Sequence, residues 1–64
     1  MKIRESQLKV LALIAEGYTN SEIADKICKS TRTVEAIRYH LIKEAKVRNT
    51  AALVYFALKN GILK

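Results

Sequence analysis

The chain has 64 residues, a formal net charge of +6 and one cysteine, and half of its residues are hydrophobic. Those figures describe one small domain over 1–64, whose folding hides roughly 60% of the surface of the open chain, so its core is modest. A lone thiol closes no internal disulfide and leaves the usual four-ligand Cys/His zinc site out of reach, so helix packing and self-association must supply stability.

No charge-free apolar run approaches the ~18–20 residues of a membrane span, and the N-terminus lacks the apolar core of a signal peptide. The expectation is a cytoplasmic protein without membrane contact, metal or cofactor. The longest apolar stretch, Val10 to Ala15, reads as part of a buried helix.

Hydrophobic periodicity predicts four helices separated by short breaks, and the chain contains no proline to interrupt them. The first runs from about Glu5 to Glu16, with Leu8, Leu11, Ile14 and Ala15 at helical spacing and Gly17 as its stop. The second covers about Asn20 to Ile27, where Thr19-Asn20-Ser21-Glu22 fits a capping box and Ile23, Ala24 and Ile27 face inward. The third starts after the N-cap residue Ser30 and continues to Ala45 or Lys46, with Val34, Ile37, Leu41 and Ala45 on one stripe. The fourth follows Asn49 or Thr50, continues to Asn60 and stops at Gly61, after which Ile62 and Leu63 fold back onto the core. The fold class is all-α.

Positive charge is concentrated. Between Lys26 and Arg48 stand seven basic residues against only Glu35 and Glu44. Such a segment favours a polyanion, because neutralised phosphates release their condensed counterions. A solvated surface of a basic protein fits the same charge. A membrane surface fits it less well, since no segment sets a broad bulky apolar face against a purely basic one.

The second helix, its turn and the start of the third carry a helix-turn-helix pattern. Two helices crossing at a steep angle around a short turn need a small residue at their closest approach and apolar residues on both sides. Ala24 is the small residue, and Ile23, Ile27, Val34 and Ile37 lie at offsets −1, +3, +10 and +13 from it. Cys28 stands where such a turn often has glycine, and Lys29 where an apolar anchor is usual.

From these positions outward the chain resembles the LuxR/GerE-type DNA-binding domains. The resemblance rests on Val10-Leu11-x-Leu13-Ile14-Ala15-Glu16-Gly17, Thr19-Asn20-x-Glu22-Ile23-Ala24 and Ser30-x-x-Thr33-Val34-Glu35, with Val47-Arg48-Asn49 and Ala57-Leu58-x-x-Gly61 completing it. It spans roughly residues 3–63, and it implies a four-helix domain that regulates transcription by binding double-stranded DNA, commonly as a homodimer. A chain without a sensor domain resembles the single-domain minority of that family. Four positions depart from the family's habit: Ile37 replaces a frequent histidine, Arg4 a Thr or Ser cap, Gln7 a frequent glutamate, and Lys46 a glycine that often ends the third helix. The last departure predicts a slight overrun of that helix.

A major groove about 12 Å wide admits one helix, whose first two turns reach base edges. By resemblance the base-reading positions map onto Glu35, Ala36 and Tyr39. Glu35 would accept from a cytosine amino group, Ala36 would pack on a thymine methyl, and Tyr39 would serve base or phosphate. Each has a plain structural reading as well: a first-turn glutamate complementing the helix dipole, a good helix former, and a half-buried surface aromatic. Phosphate contacts need only charge or a donor at the right height. Arg32, Thr33 and Arg38 are candidates on the third helix, and Asn20 and Ser21 at the N-terminus of the second, where free amides bind anions. Lys43, Lys46 and Arg48 extend the basic track, with solvation as their alternative.

His40 and Cys28 have no metal partner or catalytic dyad in any motif, and no nucleophile, base and oxyanion donor can be assembled, so no enzyme is expected. On the fourth helix, Leu53, Phe56, Ala57 and Asn60 would pack on the first. A second stripe, Ala51, Val54, Tyr55 and Leu58, is apolar enough to serve as a two-fold dimer contact, or to be buried within a monomer. Two alternatives remain at this stage. One is a domain like region 4 of a sigma factor, associated with RNA polymerase. The other is a protein-interaction module that has kept the fold but lost DNA binding, which a solvent-exposed Ile37 would favour.

Overall fold

A computed structural model describes residues 2–64 and contains four helices: α1 (Glu5–Ala15), α2 (Asn20–Ile27), α3 (Thr31–Ala45) and α4 (Thr50–Lys59). No strand occurs among the described residues. Side-chain caps set three of the four starts. The Thr19 hydroxyl accepts from the Glu22 N–H at 3.2 Å while the Glu22 carboxylate accepts from the Thr19 N–H at 2.8 Å, a complete capping box. Ser30 Oγ accepts from the Thr33 N–H at 3.2 Å, and Asn49, rather than Thr50, caps α4 by accepting from the Ala52 N–H at 2.9 Å. Before α1, Arg4 has no acceptor to offer. Its own N–H is nonetheless taken up by Gln7 Oε1 at 2.9 Å, half of a capping box built from the glutamine.

All four helices close with one geometry, in which two N–H groups beyond the helix reach back to carbonyls of its last turn. The paired bonds are Tyr18 to Leu13 with Gly17 to Ile14, Lys29 to Ala24 with Cys28 to Asp25, Val47 to Ile42 with Lys46 to Lys43, and Ile62 to Ala57 with Gly61 to Leu58. The motif needs one left-handed residue. Gly17 and Gly61 supply it at φ +95° and +73°, while Cys28 and Lys46 adopt φ 56° and 58° despite carrying a Cβ. Lys46 therefore ends α3 where glycine would have, and the predicted overrun does not occur. Helices α1 and α4 likewise stop one residue short of the predicted limits, at Ala15 and Lys59.

The core has two centres. Val10, Ile14, Ile23, Ala24 and Val34 form one, between α1, α2 and the start of α3. Leu11, Leu41, Leu53 and Ala57 form the other, between α1, α3 and α4, with Ile62 and Leu63 folded onto it. Helices α1 and α3 contribute to both centres, and Ile37 of α3 packs against the two of them. Three positions differ from the predicted inner faces. Val10 is fully buried, and Ala15, the last residue of α1, is exposed. On α4, Leu53 and Ala57 are fully buried as expected, whereas Asn60 is exposed and its amide donates to the Phe56 carbonyl at 2.8 Å.

Candidate nucleic-acid interface

The anchoring of α3 decides what it can show to a ligand. Val34 and Leu41 are fully buried, and Ile37, Arg38, Ile42 and Ala45 are half-buried beside them. The remaining face carries Arg32, Ala36, Tyr39 and Lys43 at successive steps of four, three and four residues, with Glu35 alongside, all exposed. At 1.5 Å per residue this row is about 16 Å long. Tyr39 is 61% exposed, more than the half-buried surface aromatic of its structural reading. Lys43 Nζ lies 5.8 Å from the Tyr39 ring centroid, and the His40 ring meets that of Tyr39 edge-on at 6.0 Å.

The electrostatics at the start of α3 run against what helix stability alone would select. A helix N-terminus carries partial positive charge and is stabilised by acidic residues. The first turn of α3 contains none, and holds Arg32 instead, one turn after the exposed Lys29. Glu35 lies beyond that turn, which removes its reading as a first-turn dipole partner. Helix α4 repeats the arrangement, with no acidic residue in its first turn and Arg48 just before its cap. Neither start has an acidic side chain in its first turn to offset the helix dipole.

The other expected phosphate contacts are distributed as follows. Ser21, Lys43, Lys46 and Arg48 are exposed. Thr33 is exposed but already engaged, its hydroxyl lying 3.0 Å from Ser30 Oγ within the α3 cap. Asn20 is half-buried, with its carboxamide oxygen closed off from solvent and without a partner. The neighbouring Glu22 carboxyl is held below its ordinary range, first by the Thr19 backbone N–H, then by the Thr19 hydroxyl and by the charge of Lys26. It is thus ionised at neutral pH and closes the capping box at the start of α2.

Arg38 is not on the outer row. It turns into the seam between α3 and α4, where Nη1 donates to Thr50 Oγ1 at 3.4 Å and Nε is closed off without an acceptor. Conversely, Lys29, counted in the basic segment but not among the phosphate candidates, is an exposed cation in the helix-turn-helix turn. The signal was its charge, read beside Arg32.

Ile37, the residue set to discriminate between functions, is half-buried and packed against both core centres rather than exposed. On α4, Ala51 is exposed, Tyr55 is 65% and Leu58 52% exposed, while Val54 is half-buried against the first core centre. The stripe therefore narrows to Ala51, Tyr55 and Leu58. Among the described residues no helix is long and apolar enough to cross a membrane.

Two helices packed around a left-handed turn, the second presenting an outer row anchored from behind by a shared core, define a helix-turn-helix DNA-binding domain. Residues 4–57 match the bacterial regulatory proteins of the luxR family, and the chain belongs to that family, which is one of DNA-binding transcription regulators rather than a class of enzymes. It is 39% identical over 61 residues to the oxygen regulatory protein NreC of Staphylococcus carnosus strain TM300, covering 95% of this chain and 28% of that protein. The same identity extends over 62 residues of the oxygen regulatory protein NreC of Staphylococcus aureus strain JH9, covering 97% of this chain and 29% of that one. The chain thus spans less than a third of the length of these relatives.

Proposed function

We propose that the domain is a sequence-specific transcriptional regulator that lays α3 in the major groove of double-stranded DNA and binds as a homodimer through α4. The observation that carries this reading is the exposed row Arg32, Ala36, Tyr39 and Lys43, with Glu35 beside it, on a helix whose first turn is basic. Glu35, Ala36 and Tyr39 read base edges: a carboxylate accepts from a cytosine amino group, a methyl packs on thymine, and a phenol donates or accepts. Arg32, Lys43, Lys46 and Arg48 meet phosphates by charge. Ser21 and Thr33 contribute hydroxyls, and Asn20 opens a helix start whose amides favour an anion.

Dimerisation is supported by Ala51, Tyr55 and Leu58, which leave an apolar strip on α4 exposed in a domain with a small core. A two-fold contact there is self-complementary and aims two recognition helices at successive turns of one DNA face.

Selection of bound duplexes from a random-sequence pool tests both statements. Enrichment of a two-fold symmetric site is expected, with Glu35→Gln and Tyr39→Phe relaxing preference at single positions within each half. Binding that never rises above the salt-sensitive affinity for arbitrary duplex would refute sequence-specific recognition. A stable complex with RNA polymerase, formed without any affinity for duplex, would replace this reading by the sigma-like one.

A further inference from the structure

We infer that Arg38 is a positioning residue, which ties the recognition helix to α4 and so sets the separation of the two recognition helices in the DNA-bound dimer. The inference rests on the dimeric reading proposed above, and it takes Arg38 out of the phosphate-binding set to which its charge would assign it.

Four residues after Val34 and three before Leu41, residue 38 borders the buried face of α3 rather than its outer row. Its guanidinium is accordingly spent inside the fold. Each of the other side-chain hydrogen bonds found among the described residues links partners three or four positions apart, at a cap or within one turn. The bond from Arg38 to Thr50 spans 12 positions and alone joins two helices. The core between α3 and α4 is apolar, with Leu41 clustered with Leu53 and Ala57. Hydrophobic contact is non-directional and tolerates small slides and rotations. A hydrogen bond to the first residue of α4 has a direction, and it fixes the register that packing leaves soft.

Stability alone does not account for this arrangement. A cation beside the start of α4, whose first turn has no acidic residue, opposes the helix dipole. An Nε–H closed off without an acceptor adds a further cost. A group retained at such cost is better understood through what it specifies. Here that is the angle between the helix that reads DNA and the helix that carries Ala51, Tyr55 and Leu58. In a two-fold dimer any change in this angle is applied twice, once in each protomer, so it alters the distance between recognition helices directly.

The experiment compares Arg38→Met, Thr50→Val and the double variant with the unaltered protein. The probes are duplexes from the selection above, holding one half-site or two half-sites at graded separations. Arg38→Met keeps the apolar stem and is expected to melt no lower than the parent, with an unchanged salt dependence and unchanged affinity for a single half-site. The affinity ratio between the preferred and the next half-site separation is expected to fall about three- to tenfold, the equilibrium equivalent of one hydrogen bond. Thr50→Val should do the same with Arg38 still present, and the double variant should add nothing further. If Arg38→Met instead shallows the salt slope by about 0.9 and weakens every duplex alike, Arg38 is a phosphate ligand and the inference is overturned. It is also overturned if Thr50→Val leaves the separation preference intact. A parent protein with no separation preference at all overturns the dimeric reading itself, and the inference with it.

Discussion

Replacing Arg32 by glutamine separates what the α3 start does for the fold from what it does for DNA, because the two effects have opposite signs. Arginine and glutamine have similar helix propensity, and Arg32 is exposed, so neither propensity nor packing changes much. Removing a cation from a helix start stabilises the free protein by about 0.3–1 kcal/mol. In a domain of this size that corresponds to a rise in melting temperature of a few degrees. On DNA the same change removes one of four charged phosphate contacts proposed here, the others being Lys43, Lys46 and Arg48. Four such contacts give a slope of log K against log salt of about −3 to −4 per protomer, and Arg32→Gln should shallow it by about 0.9. Between about 50 and about 200 mM salt the parent should lose roughly two orders of magnitude in affinity, and the variant about three- to fourfold less. Fluorescence anisotropy of a labelled duplex across a salt series, paired with thermal melting of the free proteins, measures both. An unchanged slope would show that the basic first turn of α3 does not face phosphate. A lower melting temperature would show that Arg32 serves the fold after all.

Three further outcomes are expected. Cys28→Gly and Lys46→Gly should each raise stability by about 0.5–1 kcal/mol in denaturant melts. The left-handed conformation costs an L-residue about 1–2 kcal/mol, and glycine's extra freedom in the open chain returns about 0.5–1 kcal/mol of that; Lys46→Gly should in addition shallow the salt slope. Glu22 has a carboxyl held below its ordinary value in the folded chain, so the stability it contributes is fully present above that ordinary value and is lost as pH falls through the lowered one. Glu22→Gln should reduce stability at neutral pH and flatten the acid limb of a pH-dependent melting series, and an acid limb unchanged by the substitution would remove the capping box as its source. Tyr55→Glu and Leu58→Glu, both at exposed positions, should leave the helical circular dichroism intact while weakening binding to a two-half-site duplex far more than to a single half-site. Equal loss on both duplexes would place the dimer contact elsewhere.

Most of the fold was legible because three of the four helix starts are written in a local side-chain cap. Thr19, Ser30 and Asn49 are acceptors, and each finds the amide three residues on, with no help from distant parts of the chain. The helix ends were less legible. Gly17 and Gly61 advertise a left-handed residue, but Cys28 and Lys46 take the same conformation with a Cβ present, so residue type alone does not announce it. An expected overrun at Lys46 is the natural error when intrinsic preference is weighed without packing. Exposure along α3 could likewise be read from the positions of Val34, Ile37 and Leu41, which place Glu35, Ala36 and Tyr39 outside.

Arg38 shows where such reading stops. Its charge grouped it with Arg32 and Lys43, yet a guanidinium at the edge of a helix's inner face can turn either way, and only a neighbouring helix decides which. Thr50 is that neighbour, and it is 12 residues away in the chain. Residues whose role depends on one face of one helix are therefore accessible to periodicity, whereas residues in a seam between helices are not. If, as proposed, the domain reads DNA with α3 and pairs through α4, the seam determines how the two tasks are joined. The same reasoning explains why Lys29, though counted in the basic segment, was left out of the phosphate candidates: a motif that calls for an apolar anchor hides a cation in that place, although the exposed turn before a basic helix start is where a phosphate would meet it first.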